Sequence, residues 1–259
     1  MVVELAYQLT GPRPDAPTVV LLGSLGSDRS MWDPQVSTLA AAYNVLAVDV
    51  RGHGESPVPT GSYTVSALAG DVLELLDRLG LEAVHVVGLS LGGAIAQHLA
   101  ASAPHRVRTL TLLCTAAKFG EPAGWLERAA FVREQGTAAL AGAVVARWFS
   151  PAFADEDVVA RSLAMVAGTP DEGYARCCEA LASWDGREAL GRIAAPTLVI
   201  AGAQDPATPP ATLAAIADGV AGATLHVLDP GAHLVNVEQQ DVVSKLIAEH
   251  ISAENIEGP

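Results

Sequence analysis

The run Val84-His85-Val86-Val87-Gly88-Leu89-Ser90-Leu91-Gly92-Gly93-Ala94-Ile95-Ala96 constrains the fold more than any other stretch of this chain. A short, β-branched apolar segment enters Gly-Leu-Ser-Leu-Gly and leaves as Ala-rich helical sequence, so a strand, a tight turn and a helix follow without a linker. The glycines two residues either side of Ser90 carry no Cβ, which lets strand and helix close around a serine in a strained conformation. A serine on such a turn stands exposed at the carboxyl end of its strand, where a nucleophile is useful.

The rest of the chain supplies the sheet that such a turn needs. Residues 3–9 alternate weakly and predict an edge strand, followed by the turn-rich Thr10-Gly11-Pro12-Arg13-Pro14. Thr18–Leu22 and Val45–Val48 are continuous apolar runs, the pattern of strands buried on both faces. Gly23-Ser24-Leu25-Gly26-Ser27 forms a loop leading to Ser30-Met31-Trp32-Asp33, an S-x-x-D helix start. Residues 64–79 have helical spacing and stop at Gly80; a helix from Ser90 to Ala103 and a strand over Val107–Leu113 come next. Strands alternating with helices mean βαβ units and a parallel sheet.

After Cys114 the alternation stops. Residues 121–135, 137–149, 155–167 and 170–184 read as helices, the last opened by Thr169-Pro170-Asp171-Glu172, a capping box with Pro at its first helical position. Alternation resumes with a strand over Pro196–Gly202, a helix over Pro209–Ala217, a strand over Ala223–Leu228 and a closing helix from Asn236 to His250. The expected fold class is α/β: a mostly parallel sheet flanked by helices, in a core domain of residues 1–115 and 191–259, with a helical cap inserted at 116–190.

At 259 residues the chain can bury one large α/β core. Half its residues are hydrophobic, yet no apolar run reaches membrane-spanning length, and the start Met1-Val2-Val3-Glu4 has neither the basic region nor the apolar segment of a signal peptide. A net charge of −14 argues against nucleic acid or an anionic membrane as partner. Cys114, Cys177 and Cys178 are too few for a disulfide framework and fit a reducing cytoplasm. The adjacent pair reads as small packing residues, since no further Cys or His stands at metal-ligand spacing; no metal or cofactor is expected.

Two loops downstream of Ser90 carry the residues that make a serine reactive. Asp205 follows the strand ending Ala201-Gly202, and His233 follows the strand ending at Leu228, so all three lie on one rim of the sheet in the chain order Ser, Asp, His. His233 is the base that takes the Ser90 proton, and Asp205 fixes the imidazole tautomer. The tetrahedral oxyanion needs preorganised donors: the Leu91 N–H after the nucleophile, and the Leu25 N–H of the loop after the first buried strand. Asp229 is the rival acid but precedes Pro230 on the histidine's own loop, as a turn former does. His53 lies in a Gly-flanked loop, with a structural role favoured over one bordering the site; His85, His98, His105, His226 and His250 read as packing or surface residues. Ser24 lacks the context of a nucleophile and reads as a loop former that lines the pocket.

These residues resemble the α/β-hydrolase superfamily over the whole chain. Particular stretches resemble one of its families, the 3-oxoadipate enol-lactonases of bacterial aromatic catabolism. They are Ser24-Leu25-Gly26 with Met31-Trp32, Arg51-Gly52-His53-Gly54-Glu55-Ser56, and Gly88–Gly93; then Cys114–Gly120, Arg147–Phe153 and Tyr174–Cys178 in the cap; and Gly202–Pro210 with Gly231-Ala232-His233-Leu234. The cap stretches are the more specific. Most relatives carry His-Gly ahead of the oxyanion residue where this chain has Gly23-Ser24, a departure the enol-lactonases share. Some relatives are fused to a decarboxylase domain; the sequence stops at Pro259, so that activity is not expected.

The resemblance implies opening of the lactone of 3-oxoadipate enol-lactone through an acyl-enzyme on Ser90, without a cofactor, by a monomer or small homo-oligomer. Its small anionic substrate needs a cation, and Lys118, Arg128, Arg133 and Arg147 are the basic residues of the cap. Trp125, Trp148 and Met165 offer apolar walls. Trp125 and Arg133 rank first, both on the first cap helix and eight residues apart, with Trp148 and Ser24 as further substrate contacts. Another esterase, a C–C hydrolase, a perhydrolase or a hydrolase-fold ligand sensor are the alternatives.

Overall fold

The apolar runs at Thr18–Leu22 and Val84–Leu89 are buried along their whole length. Successive side chains of a strand point to opposite faces, so the sheet is covered on both. The computed structural model describes residues 3–11 and 16–257. Its strands are β1 (Tyr7–Thr10), β2 (Thr18–Leu22), β3 (Asn44–Val48), β4 (Val84–Leu89), β5 (Val107–Leu113), β6 (Thr197–Gly202) and β7 (Thr224–Leu228). They form one sheet in the order β1-β3-β2-β4-β5-β6-β7. Among the described residues only β1 runs antiparallel to its neighbour; every other pairing is parallel. The carboxyl ends of β2 to β7 therefore share one edge, and Gly23, Ser90, Cys114, Asp205 and His233 all lie on or just beyond it.

The flanking helices are α1 (Asp33–Leu39), α2 (Val65–Arg78) and α3 (Leu91–Ser102), then, after β6, α8 (Pro210–Gly219), α9 (Val235–Glu238) and α10 (Gln240–Glu257). In α2 the Thr64 hydroxyl caps Ala67 N–H at 3.1 Å, Leu68, Val72, Leu75 and Leu76 form the buried stripe, and Gly80, at φ 68, ends the element. Four helices separate β5 from β6: α4 (Pro122–Gln135), α5 (Thr137–Val145), α6 (Glu156–Gly168) and α7 (Asp171–Ala182). Within this insertion α4 packs on α7 and α5 on α6.

Contacts to two loops of the sheet fix the insertion. A Cβ on Gly52 would lie 2.7 Å from the Gly173 Cα, so only a glycine lets the backbones of the 51–56 loop and α7 meet. Arg176 donates to the carbonyls of Pro59 and Gly61, each at 2.7 Å, and Leu234 N–H donates to the Trp148 carbonyl at 2.8 Å.

Several boundaries differ from the sequence reading. Residues 3–6 are not strand, although Val3 and Leu5 are buried. Pro12–Pro14 lie outside the described residues. The helix start expected at Ser30 is displaced: Asp28 accepts from Ser30 N–H at 2.9 Å, a 3-10 turn follows over Arg29–Trp32, and α1 begins at Asp33. The capping box at 169–172 does not form. Pro170 is itself the flanking residue, the Thr169 hydroxyl donates back to the Met165 carbonyl at 3.1 Å, and Asp171 accepts from Thr137 N–H at 2.7 Å. The helix expected to reach residue 149 ends at Val145, and the closing helix is broken at Gln239.

Candidate active site

Ser90 sits between β4 and α3 at φ 56, ψ −112, a region open to few non-glycine residues. Neighbouring contacts hold it there. Its N–H donates to the Leu113 carbonyl at 3.0 Å, and its carbonyl accepts from the Thr115 hydroxyl at 2.7 Å and from Ala94 N–H at 3.0 Å. A Cβ on Gly88 would lie 2.3 Å from the Gly92 carbonyl oxygen, and one on Gly92 would lie 2.1 Å from that of Leu22. Both glycines are sterically required, which is the physical content of G-x-S-x-G here.

Asp205 and His233 meet behind this serine. The His233 Nδ1–H donates to Asp205 Oδ2 at 2.8 Å; that oxygen also accepts from the Thr208 hydroxyl at 2.6 Å, while Oδ1 accepts from Ala207 N–H at 2.8 Å. Burial alone would raise the Asp205 pKa. The charge and hydrogen bond of His233, with the Thr208 and Ala207 donors, outweigh it and hold the carboxylate at about 2. Asp229 stands apart, exposed and accepting from the Gln204 side chain at 3.1 Å.

Ser90 and His233 line one cavity of about 380 Å³, together with Ser24, Leu25, Trp125 and Trp148. Leu25 and Leu91 are buried, and among the described residues no acceptor meets either backbone N–H. Two buried donors left open beside a serine are unusual, because an unmet buried donor is costly.

The insertion contributes the opposite wall. Arg128, Arg147 and Lys118 line the cavity, and neither arginine makes an ion pair with a carboxylate among the described residues. The Arg128 guanidinium lies 5.1 Å over the Trp125 ring, which is itself anchored by a 2.6 Å bond from its Nε1–H to the Phe119 carbonyl. Burial, and next the charge of Arg128, lower the pKa of Arg147.

Arg133 is not on the cavity. It donates to Glu172 at 2.9 Å and to Glu179 at 2.5 Å, tying α4 to α7. Eight residues of helix turn through about 800°, leaving Arg133 roughly 80° from Trp125, whereas three residues bring Arg128 back to within about 60°. Met165 is likewise not among the cavity's walls. Cys177 and Cys178 are buried in α7, where burial raises both thiol pKa values, that of Cys178 to about 12. Composition gave no sign of Thr208, whose hydroxyl reaches Asp205 only through the turn after β6.

This fold and site define a class. Residues 17–240 match the model of the α/β hydrolase fold family, and the chain belongs to that family. It is an enzyme, a hydrolase. Its sequence is 41% identical over 239 residues to 3-oxoadipate enol-lactonase 2 of Acinetobacter baylyi, covering 92% of this chain and 89% of that one. Its structure is similar to the enol-lactonase of Burkholderia xenovorans LB400, at a TM-score of 0.93 and 40% identity, covering 96% and 97% of the two chains. A thermophilic esterase from Thermogutta terrifontis reaches a TM-score of 0.92 at 29% identity, covering 97% and 94%. Backbone shape alone therefore does not separate lactonase from esterase. No described helix is long and apolar enough to cross a membrane.

Proposed function

We propose that this enzyme opens the ring of 3-oxoadipate enol-lactone to 3-oxoadipate, with Ser90, His233 and Asp205 as its catalytic residues. The observation that carries the proposal is the pairing, in one cavity, of Ser90 and His233 with two arginines that have no ion-pair partner among the described residues. An esterase for neutral substrates has no use for unneutralised guanidinium groups in its pocket; a lactone that carries a carboxylate does. The similarity to enol-lactonases extends through the insertion that supplies those arginines. We take residues 116–190 as a cap on the core formed by 1–115 and 191–259.

The geometry supports the following steps. Asp205 holds His233 with its proton on Nδ1, leaving the Nε2 lone pair to take the Ser90 proton as Oγ attacks the lactone carbonyl. The Leu25 and Leu91 N–H groups receive the oxyanion, each contributing on the order of 3 kcal/mol to the transition state. Collapse breaks the ring C–O bond, and the enol oxygen leaves with the proton held on His233. That leaving group is far less basic than an alkoxide, so one imidazole suffices as acid. The acyl-enzyme ester on Ser90 is then attacked by water that His233 deprotonates, releasing a new carboxylate, and the enol tautomerises to the ketone.

Arg128, held over Trp125, and Arg147 grip the carboxylate the substrate already carries; Lys118 adds positive charge at the cavity wall. Ser24, Trp125 and Trp148 bound the ring. No step calls for a metal or an organic cofactor. The buried free cysteines suit a reducing cytoplasm.

Loss of enol-lactone ultraviolet absorbance tests the proposal. Wild type should turn the lactone over, and Ser90→Ala should lower kcat/KM by at least about 10⁴-fold with the fold intact. Near-normal turnover by Ser90→Ala would remove the nucleophile; absence of wild-type turnover would remove the substrate.

A further inference from the structure

The Gly-flanked histidine of Arg51-Gly52-His53-Gly54 takes no part in the steps above, yet it is fully buried and meets the loop that carries the Leu25 amide. Its Nε2 lies 2.9 Å from the Gly26 nitrogen, whose only proton makes Nε2 the acceptor. The other ring nitrogen, Nδ1, faces the Arg51 carbonyl at 3.3 Å and so carries the proton. The ring is thus a neutral strut, and burial keeps it neutral by lowering its pKa to about 4.

We infer that His53 is a positioning residue for the oxyanion site: by accepting from Gly26 N–H it holds the Ser24-Leu25-Gly26 turn so that the Leu25 N–H faces the carbonyl attacked by Ser90. This rests on Leu25 being an oxyanion donor, but not on the identity of the acyl substrate.

The loop's other restraints lie at its ends, where Ser24 N–H meets Met31 Sδ at 3.4 Å and Ser27 Oγ lies 2.9 Å from the same sulfur. Ser27 N–H and Ser27 Oγ–H both close onto the Ser24 carbonyl, at 3.1 and 2.8 Å, and Gly92 N–H reaches the Gly23 carbonyl at 2.9 Å. These fix the two ends of the turn. Gly26 lies between them at φ 82, a conformation from which glycine moves readily to negative φ, and its hydrogen bond to His53 restrains it there. A Cβ on Gly26 would also lie 3.0 Å from the Tyr174 ring, so the turn is pressed between His53 below and α7 above. His53 itself is set by its own loop: its N–H donates to the Val50 carbonyl at 3.0 Å, and its carbonyl accepts from Ser56 N–H at 3.0 Å. The neighbouring Gly52 is the residue in backbone contact with α7, so one short loop supports both the oxyanion turn and the insertion.

The test compares His53→Leu, which removes the acceptor, with His53→Gln, whose amide oxygen can accept from Gly26 N–H. Both are assayed on enol-lactone and on 4-nitrophenyl acetate, with binding of a small alkylboronic acid as a tetrahedral-adduct probe. His53→Leu should lower kcat about 10- to 100-fold on each substrate, with KM within about threefold and boronate affinity weakened in step. His53→Gln should recover most of that loss. A His53→Leu enzyme with kcat within about twofold of wild type, or a loss that His53→Gln does not recover, overturns the inference. Should His53→Leu not fold, ¹⁵N NMR of the wild-type ring decides: an unprotonated Nε2 coupled to the Gly26 amide supports it, and a protonated Nε2 overturns it. If only the enol-lactone fails as a substrate, the ester and boronate arms still test His53, and the proposed substrate alone falls.

Discussion

Ser90 is held at φ 56 by its neighbours at a cost on the order of 1–3 kcal/mol, and that conformation leaves its hydroxyl on the cavity instead of in a helix cap. The carboxylate grip is equally a matter of single residues. Arg128→Met should raise KM for enol-lactone about 10- to 100-fold, the loss of a charge-assisted hydrogen-bonded contact, while leaving the kinetics on a neutral aryl ester within about threefold. Arg133→Gln should leave both substrates unaffected, since its exposed ion pairs with Glu172 and Glu179 contribute little and lie off the cavity. Steady-state kinetics of the two variants side by side separate these outcomes. The placement of Ser90, Asp205 and His233 on one rim was legible because each follows a strand, Ser90 and Asp205 after continuous apolar runs and His233 after the more exposed β7. Which cap arginine faces the cavity was not, because α4 carries no strong apolar stripe to orient it, and the eight residues from Trp125 to Arg133 leave the two nearly a quarter-turn apart. His53 could be marked as unusual by its flanking glycines, but its bond to Gly26 joins residues 27 apart in the chain.

At the scale of elements, the turn from β4 to α3 rests on backbone contact between that helix and the end of β2. Gly92→Ala places a methyl group about where the Leu22 carbonyl stands, so the helix must move off the sheet. The variant should be insoluble or lose several degrees of Tm, with activity falling further than stability, read by thermal denaturation and esterase assay on the same sample. The central strands were readable because β2, β4 and β6 are buried at every position, and a continuous apolar run has few other uses; the edge strands β1 and β7, largely exposed, announce themselves less. Helix starts were less readable. At Ser30 and Thr169 an acceptor two or more residues away, Asp28 or the Met165 carbonyl, takes the group that a local motif assigns to the cap. A capping box is a two-residue pattern, and other acceptors close by in the chain compete for its donors.

Across the whole molecule, acid should act through buried histidines before it reaches the catalytic carboxylate. His53 and His85 are held neutral, each with its pKa lowered by burial to about 4. The unfolded chain takes up these protons near pH 6.5, so stability is full above that pH and falls as pH drops toward 4. For the fully buried His53 the loss reaches about 3 kcal/mol. Asp205 acts lower down: its depressed pKa contributes stability above its unfolded value of 3.8, lost as pH falls toward 2. Urea midpoints from pH 7 to 4 should therefore decline steadily, and His53→Gln should flatten part of the slope. The insertion, bound to the core through Gly52, Pro59 and Trp148, completes the cavity to which the proposed function assigns selectivity. The most direct test of that selectivity is the ratio of wild-type kcat/KM for 3-oxoadipate enol-lactone to that for 4-nitrophenyl butyrate, measured with one enzyme preparation. A ratio of at least about 100 in favour of the enol-lactone is expected from a cavity whose partly buried arginines match the substrate's carboxylate. A ratio near or below one, with Ser90-dependent cleavage of the aryl ester, would contradict the enol-lactonase account and leave a general esterase in its place.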